Sequence, residues 1–266
     1  MQKTRQDWER VPLLTPSSRQ PMRPISVLHR QLAAKTVVPA HSHGWGQLVY
    51  SGQGVLDVIT PSGRYLLPPD RAVWVPPDEP HEISTLNGAE IASIYITAAA
   101  GVSLPTACQV LEISLLLRAL ILEALQQPIQ YEWHSPCGRL FRTLRDQIAI
   151  AKPAPLFLPL PDDPRLLKIC YQLQQQPEDS RTLAEWGAQV GASERTLQRL
   201  FQKQTRLTFQ QWRQQLRLQI ALQRLIDSRD SITAIALGLG YDSASTFIAM
   251  FHQQLGKTPG EYRKWK

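Results

Sequence analysis

Three histidines and a glutamine in the first third of the chain have the residue types and spacing of a metal-binding set. His41 and His43 are one residue apart, and Gln47 and His81 follow them. Alternate residues of a β-strand point to the same face, so His41 and His43 can converge on one centre that Gln47 and His81 complete. Imidazole is a common ligand of transition metals, so one divalent transition metal is the expected cofactor. The alternative is a polar, metal-free pocket.

The two segments that contain these residues resemble the two motifs of the cupin family, whose barrels often hold a divalent metal. The residues that carry the resemblance are His41, His43, Gln47 and Gly54 in the first motif, and Pro76, Asp78 and His81 in the second. Gln47 stands where cupins usually have Glu, and Asp78 where they usually have Gly. The missing carboxylate weakens a site for hard cations, but three imidazoles still suit zinc, nickel, copper or iron(II).

The stretch around this set, residues 25–98, is typical of a small β-barrel or jelly roll. Short apolar or alternating runs, such as residues 54–59 and 91–96, are separated by Gly- and Pro-containing turn signals. Trp45 and Trp74 lie in this stretch. They are expected either to wall an effector pocket or to belong to the core of the barrel.

The last hundred residues carry one helix, turn and helix pattern twice, with a shift of 49–50 residues between the copies. A small residue, Gly187 or Ala236, lies four positions before a turn glycine, Gly191 or Gly240. The glycine can supply the left-handed conformation of a tight turn, and a serine N-cap, Ser193 or Ser243, follows each turn. This pattern predicts two helix-turn-helix motifs, whose second helices enter the DNA major groove. A helix over about residues 208–227 joins the two copies.

The second helix of the first copy has a polar face that could read bases. Leu197, Leu200 and Phe201 form its core stripe, so the opposite face is left to the residues Arg195, Gln198, Arg199 and Gln202. Arg pairs well with guanine and Gln with adenine. Any surface helix also carries such residues, but the tandem duplication favours DNA recognition.

Residues 163–266 resemble the AraC/XylS family of bacterial transcription regulators. The likeness is carried by residues 192–201, 240–243 and 251–262. The resemblance implies two recognition helices on successive major-groove segments, and it places Arg195, Gln198 and Arg199 at base-contacting positions. The second helix departs from a polar reader, because Ile248 and Ala249 replace the polar side chains expected there.

The first helix is therefore expected to carry most base specificity, and the second to contact phosphates and thymine methyl groups. The full set of expected DNA contacts is Arg195, Gln198, Arg199, Gln202, Lys203, Ser245, Thr246 and His252.

The charge distribution supports a nucleic-acid partner. Residues 164–266 contain 15 Lys and Arg against 8 Asp and Glu, whereas residues 1–163 contain 14 of each. The whole formal net charge of +7 thus lies on the helical region, as expected of a module attracted to phosphate. Three scattered cysteines indicate thiols in a reducing compartment. No apolar signal segment or membrane span is recognised, so a cytoplasmic location is expected.

The chain is expected to divide into five parts. These are a polar N-terminal segment (1–24), a cupin-like sensor barrel (25–100), a helical dimerisation segment (101–151), a Pro-rich linker (152–163) and an AraC-type DNA-binding domain (164–266). Residues 112–126 are apolar on more than one face. One stripe is expected to pack on the barrel and the other on the same helix of a second subunit, which predicts a homodimer.

The sequence as a whole predicts an α+β protein of two domains, a cupin-like β-barrel followed by an all-α tandem helix-turn-helix domain. It is interpreted as a transcription regulator that binds double-stranded DNA under the control of a small effector or metal, with RNA polymerase as a further partner. One alternative is a metal-dependent cupin enzyme, a dioxygenase or isomerase, fused to a DNA-binding domain; no acid–base pair accompanies the histidines. Another is a nucleoid-type architectural protein, which has no use for an enclosed polar barrel.

Overall fold

A computed structural model describes residues 7–12, 23–69, 71–100, 104–154 and 157–264 of the 266-residue chain. They form two compact units. The first consists mainly of the described residues up to 154, and the second mainly of those from Phe157 onward. The predicted combination of a β-barrel and an all-α tandem helix-turn-helix domain is confirmed. Most of the polar segment expected at residues 1–24 lies outside the described residues. Within the described part of the chain, no helix is both long and apolar enough to cross a membrane.

The first unit is a nearly closed antiparallel sheet with two helices. Its elements are β1 (Glu9–Arg10), β2 (Ile25–His41), β3 (Gly46–Gly54), β4 (Leu56–Thr60), β5 (Gly63–Leu67), β6 (Arg71–Val75), β7 (His81–Ile96), a 3-10 turn (Ala98–Ala100), β8 (Gln109–Glu112), α1 (Leu115–Ala124) and α2 (Pro136–Ala149). Neighbouring strands follow the order β8-β6-β3-β7-β4-β5, and β2 also pairs with β7. The segment expected to be helical, residues 101–151, thus contains a strand, β8, before its two helices.

The long strand β7 organises this sheet. It pairs with β2 from Ile25 opposite Ile96 to His41 opposite His81, with a register shift between Val38 and His41. Its other edge is shared by β3 and β4. The end of β2 at His41 therefore lies opposite His81, the first residue of β7, whereas the start of β3 at Gly46 lies opposite Ile96, the last residue of β7.

Helices α1 and α2 cover an apolar face of this sheet. Leu117, Ile121, Phe141 and Leu144 are buried in one cluster with sheet residues that include Ile94. Helix α2 follows its N-cap Ser135, whose side chain accepts a hydrogen bond from the amide of Gly138, and has Pro136 at its first position. Burial of these large side chains removes apolar surface from water and holds the helices on the sheet.

The second unit is helical. Its elements are β9 (Phe157–Pro159), α3 (Pro164–Gln175), α4 (Leu183–Val190), α5 (Glu194–Thr205), α6 (Phe209–Asp227), α7 (Ile232–Leu237), α8 (Ala244–Leu255) and α9 (Pro259–Arg263). Helices α4 and α5 form the first helix-turn-helix motif, α7 and α8 form the second, and α6 joins them. Strand β9 lies within the stretch expected to be a linker.

The turns of both motifs have the predicted local structure. Gly191 and Gly240 have φ values of 68° and 75°, in the left-handed region that favours glycine. Ser193 and Ser243 cap α5 and α8 by accepting hydrogen bonds from the amides of residues 196 and 246. Gly187 allows the close crossing of α4 and the turn, because a Cβ there would lie 2.3 Å from the carbonyl oxygen of Ala192.

We therefore expect Gly187→Ala to destabilise the helical unit. The new methyl group has no room beside a backbone carbonyl, and overpacking of this kind costs about 1–3 kcal/mol. Thermal unfolding followed by circular dichroism measures the effect as a lowered Tm.

Gly260→Ala is the matched control. A Cβ at Gly260 meets no atom closer than 3.9 Å. Alanine is the better helix former by up to about 1 kcal/mol, so the Tm should stay the same or rise slightly. If the two variants had equal Tm values, the close crossing at Gly187 would not limit the stability of this unit.

Candidate nucleic-acid interface and histidine cluster

Helix α5 presents the predicted polar face to solvent. Leu197 and Phe201 are fully buried in the core of the helical unit, and Leu200 is half-buried. The five predicted contact residues of this helix are all exposed: Arg195, Gln198, Arg199, Gln202 and Lys203. Gln198 is held by Glu194, whose Oε1 accepts a hydrogen bond of 3.1 Å from its side-chain amide. This face therefore combines guanidinium and amide groups, which suit guanine and adenine edges.

A groove of about 650 Å³ runs beside this face. It is lined by Arg199 and Gln198 of α5, by Arg213 of α6 and by the first residues of α4 and α6. Thr182 and Thr208, the N-caps of α4 and α6, both belong to capping boxes. The lining holds two arginines, Arg199 and Arg213, against one acidic residue, Glu194, so its net charge is positive and attracts phosphate.

Sequence reasoning missed Thr182 and Arg213, which both line this groove. Thr182 and Glu185 have the Thr-x-x-Glu spacing of a capping box, a signal that could have identified the start of α4. Arg213 carried no such signal, because only the packing of α6 against the first motif brings it to the groove.

Helix α8 presents a different surface. Phe247, Met250 and Phe251 are buried, whereas the predicted contact residues Ser245, Thr246 and His252 are exposed. Ala249 is also exposed, and the helix contains no Arg or Lys. Its outer face is therefore small and weakly polar, in contrast with that of α5.

The three histidines of the barrel come together as expected. His41, the last residue of β2, lies directly opposite His81, the first residue of β7, and their ring centroids are 4.2 Å apart. His43 lies beyond β2 in the loop to β3, so this loop, and not strand alternation, brings it to the cluster. One potential ligand atom from each histidine lies within 4.8 Å of the others.

Backbone carbonyl groups fix the orientation of all three imidazoles. The Nδ1 atoms of His41, His43 and His81 lie 2.7, 2.8 and 2.9 Å from the carbonyl oxygens of residues 39, 45 and 79. A carbonyl oxygen only accepts, so each Nδ1 carries a proton, and in the neutral imidazole Nε2 then has a free lone pair. The same arrangement orients metal-bound histidines in other proteins.

Gln47 completes the donor set. Its Oε1 lies 3.0 Å from Nε2 of His43 and 3.1 Å from Nε2 of His81, and its Nε2 donates to the hydroxyl of Ser93. In this orientation three lone pairs face each other without a proton between them. The buried Nε2 of His41 likewise has no hydrogen-bond partner among the described residues. A cation between these atoms, or a reversed Gln47 amide for the Gln47 contacts, would satisfy them.

The protonation state of the cluster favours lone pairs over charge. Burial lowers the pKa of His81 to about 4, and burial also lowers the pKa of His41. Both imidazoles are therefore neutral at pH 7. Neutral imidazole is the form that binds metals.

Asp78 shows why the second cupin-like motif tolerates its departure from glycine. Asp78 has a φ of 63°, in the left-handed region, which Asp adopts more readily than most residues. Its amide donates a hydrogen bond of 2.8 Å to the carbonyl oxygen of His43. This turn therefore links the loop of the first motif to the start of β7.

The two tryptophans have different places. Trp45 stacks on the ring of His43, with centroids 5.2 Å apart and an interplanar angle of 9°. Trp74 is buried in the cluster between the sheet and α1–α2, and its Nε1 donates to the carbonyl oxygen of Pro105. Of the two expected pocket residues, Trp45 thus borders the histidines and Trp74 lies in the core. The barrel interior, lined by His41, Gln47 and Tyr95 among others, has a cavity of about 40 Å³.

Comparison with known proteins gives matches to transcription regulators. A family model described as a helix-turn-helix domain matches residues 186–264. The HTH-type transcriptional regulator NimR of Escherichia coli (strain K12) is 35% identical over 224 residues, 84% of this chain and 81% of that protein.

Two further matches differ in extent. The HTH-type transcriptional activator RhaR of Yersinia pestis is 32% identical over 105 residues, 40% of this chain and 36% of that protein. A solved structure of ToxT from Vibrio cholerae covers 91% of this chain and 99% of that one, with 10% identity and a TM-score of 0.39.

Proposed function

Starting from the fact that this chain belongs to the AraC family of helix-turn-helix transcription regulators, we propose that α5 reads its DNA target and that the histidine cluster binds its effector. The chain is a DNA-binding regulator and not an enzyme. The observation that carries the DNA part of the proposal is the exposed face of α5. The three converging imidazoles carry the effector part.

On DNA, Arg195, Gln198 and Arg199 contact base edges, and Gln202 and Lys203 extend the contact along the same helix face. All five are exposed on one side of α5, beside a groove suited to phosphate groups. Ser245, Thr246 and His252 of α8 contact phosphates, and Ala249 meets thymine methyl groups. Two motifs would thus contact successive major-groove segments about 34 Å apart.

In the barrel, the effector is a divalent transition metal ion held by His41, His43 and His81, with Gln47 as a neutral oxygen donor. A set of three imidazoles and an amide oxygen fits zinc, nickel, copper or iron(II). A bound ion would supply the positive charge on which the facing lone pairs converge. These residues would then hold the loop between β2 and β3 against the start of β7.

The small volume of the barrel cavity disfavours an organic effector. Its volume of about 40 Å³ is large enough for a water molecule or an ion. Organic ligands occupy pockets of roughly 300–1,000 Å³, so such an effector would require the barrel to open.

The outer face of α1 is proposed as the contact between two subunits. Leu115, Leu116 and Leu122 are 82, 53 and 49% exposed, whereas Leu117 and Ile121 face the sheet. Exposed leucines on one helix lose contact with water when they pack against the same helix of a second copy. In the resulting homodimer the effector would change the geometry of the subunits or of the linker. That change would alter how the two DNA-binding domains engage paired half-sites and RNA polymerase.

We propose the same division of the chain that the sequence predicts. The parts are a polar segment (1–24), a sensor barrel (25–100), a dimerisation segment (101–151), a linker (152–163) and a DNA-binding domain (164–266).

We expect Arg199→Ala to relax sequence preference, because a bidentate contact to a base discriminates by about 1–3 kcal/mol. Selection of duplexes from a random-sequence pool, followed by sequencing, measures the preference. Arg229→Ala, which removes an exposed arginine outside both recognition helices, is the control and should keep the wild-type preference. Retained preference in Arg199→Ala together with its loss in Ala249→Ser on α8 would reverse the assignment of the two helices.

We expect the purified protein to contain about one transition metal ion per chain, as three imidazoles bind such ions tightly. Elemental analysis by mass spectrometry measures the content, and the double variant His41→Ala/His81→Ala should lose the ion. His134→Ala, at an exposed position away from the cluster, should keep it. No retained ion, even after incubation with zinc, nickel, copper or iron(II), would leave the histidines as polar groups of a metal-free pocket.

We expect the double variant Leu115→Glu/Leu122→Glu to be a monomer where the wild type is a dimer. Charges in place of two leucines would have to be buried without partners at the contact. Sedimentation velocity at micromolar concentration separates the two states. Ile150→Glu, which changes another exposed apolar residue of the same unit, should leave the dimer intact. A monomeric wild type would contradict the proposed contact.

A further inference from the structure

Three segments of the helical unit meet around one arginine in the middle of α6. The half-buried Arg217 donates a hydrogen bond of 3.0 Å from Nε to the carbonyl oxygen of Pro177. Pro177 lies in the loop between α3 and α4, which leads into the first motif. The guanidinium carbon of Arg217 lies 5.4 Å from the ring centroid of Tyr241, in the turn between α7 and α8. One side chain therefore contacts both the loop that leads into the first motif and the turn of the second.

Gly240 shows how closely the second motif approaches this point. A Cβ on Gly240 would lie 2.6 Å from Nη2 of Arg217 and 2.8 Å from the carbonyl oxygen of Glu178. Only hydrogen fits at this position, in addition to the left-handed backbone that the turn needs. The turn of the second motif is thus packed directly on the α3–α4 loop of the first, with Arg217 between them.

The charge of Arg217 makes these contacts specific. Its guanidinium stays protonated at pH 7 although burial lowers its pKa. A partly buried cation is costly unless polar groups surround it. The Pro177 carbonyl, the ring of Tyr241 and the nearby carboxylates of Asp179 and Asp242 supply that compensation, and Arg213 opposes it.

The placement of the second recognition helix decides whether both motifs reach the DNA. Two recognition helices can occupy successive major-groove segments only when they are held about 34 Å apart and face the same side of the DNA. Helix α6 connects the motifs covalently, but a helix alone does not fix the rotation of the α7–α8 pair that follows it. Arg217 ties the turn between α7 and α8 to the loop that precedes α4.

We infer that Arg217 is a positioning residue that holds the second recognition helix in register with the first, so that both contact one face of the DNA. The inference rests on the proposed two-segment contact with DNA. Arg217 itself touches neither bases nor phosphates in this account, because it is half-buried between the α3–α4 loop and the α7–α8 turn. Its removal should change the geometry of binding and leave the reading surface of α5 intact.

Hydroxyl-radical footprinting tests this on a duplex that the wild-type protein recovers from a random-sequence pool. The wild type should protect two segments about one helical turn, or 10 base pairs, apart. Arg217→Met should protect the first segment as before and leave the second unprotected or displaced. Its affinity for the full duplex should fall about tenfold, or about 1.4 kcal/mol, as expected when the hydrogen bonds of α8 to phosphates are lost.

A duplex truncated after the first segment separates positioning from general damage. Arg217→Met should bind it within about twofold of the wild type, because the reading surface of α5 is unchanged. A tenfold loss on this duplex, equivalent to about 1.4 kcal/mol, would instead indicate general damage. Arg217→Lys keeps the aliphatic stem and the charge but lacks the planar fork. It should show the same loss of the second segment in a smaller degree, and it serves if Arg217→Met does not fold. Arg229→Met, the loss of an exposed arginine at another place, should protect both segments.

Two results are distinguishable failures. If folded Arg217 variants protect both segments at the wild-type spacing and affinity, the positioning role is wrong. If the wild type itself protects a single segment, the two-segment contact of the proposed function is wrong, and the role of Arg217 falls with it.

Discussion

The histidine cluster depends on the pairing of β7 with β2, because this pairing places two histidines that are far apart in the sequence opposite each other. His41 and His81 meet at the last paired position, after a register shift that follows Val38. The turn at Asp78 then draws His43 to the same point through one backbone hydrogen bond. Three carbonyl groups orient the imidazoles, and burial keeps at least two of them neutral. The geometry of the histidine cluster is therefore a consequence of strand register and turn geometry.

The helical unit follows the same logic with close backbone contacts in place of sheet register. Gly187 and Gly240 each sit where a single methyl group would strike a backbone carbonyl. The first contact sets the crossing within one motif, and the second sets the packing between motifs. Recognition of DNA requires both, since a base-reading face is useful only when its helix is correctly placed.

Much of this architecture could be predicted from the sequence because it is encoded locally. The duplicated turns and the serine caps follow from the identities of single residues such as Gly191 and Ser193, and the histidine set from its motif spacing. Other features arise only on folding. Nothing near Trp74 in the sequence distinguishes a pocket wall from core, and the contacts of Arg217 join residues 40 positions apart in the chain. The carbonyl groups that orient the histidines also depend on loop conformations that residue types do not determine.

We propose that the histidine cluster controls DNA binding. The most direct test is the affinity of the protein for a selected duplex, measured with and without one equivalent of the metal ion that the protein retains. For the wild type, we predict a change of at least about fivefold, the lower range of coupling between sites. The variant His41→Ala/His81→Ala should show equal affinities in both conditions. Equal affinities for the metal-loaded and metal-free wild type would contradict the account.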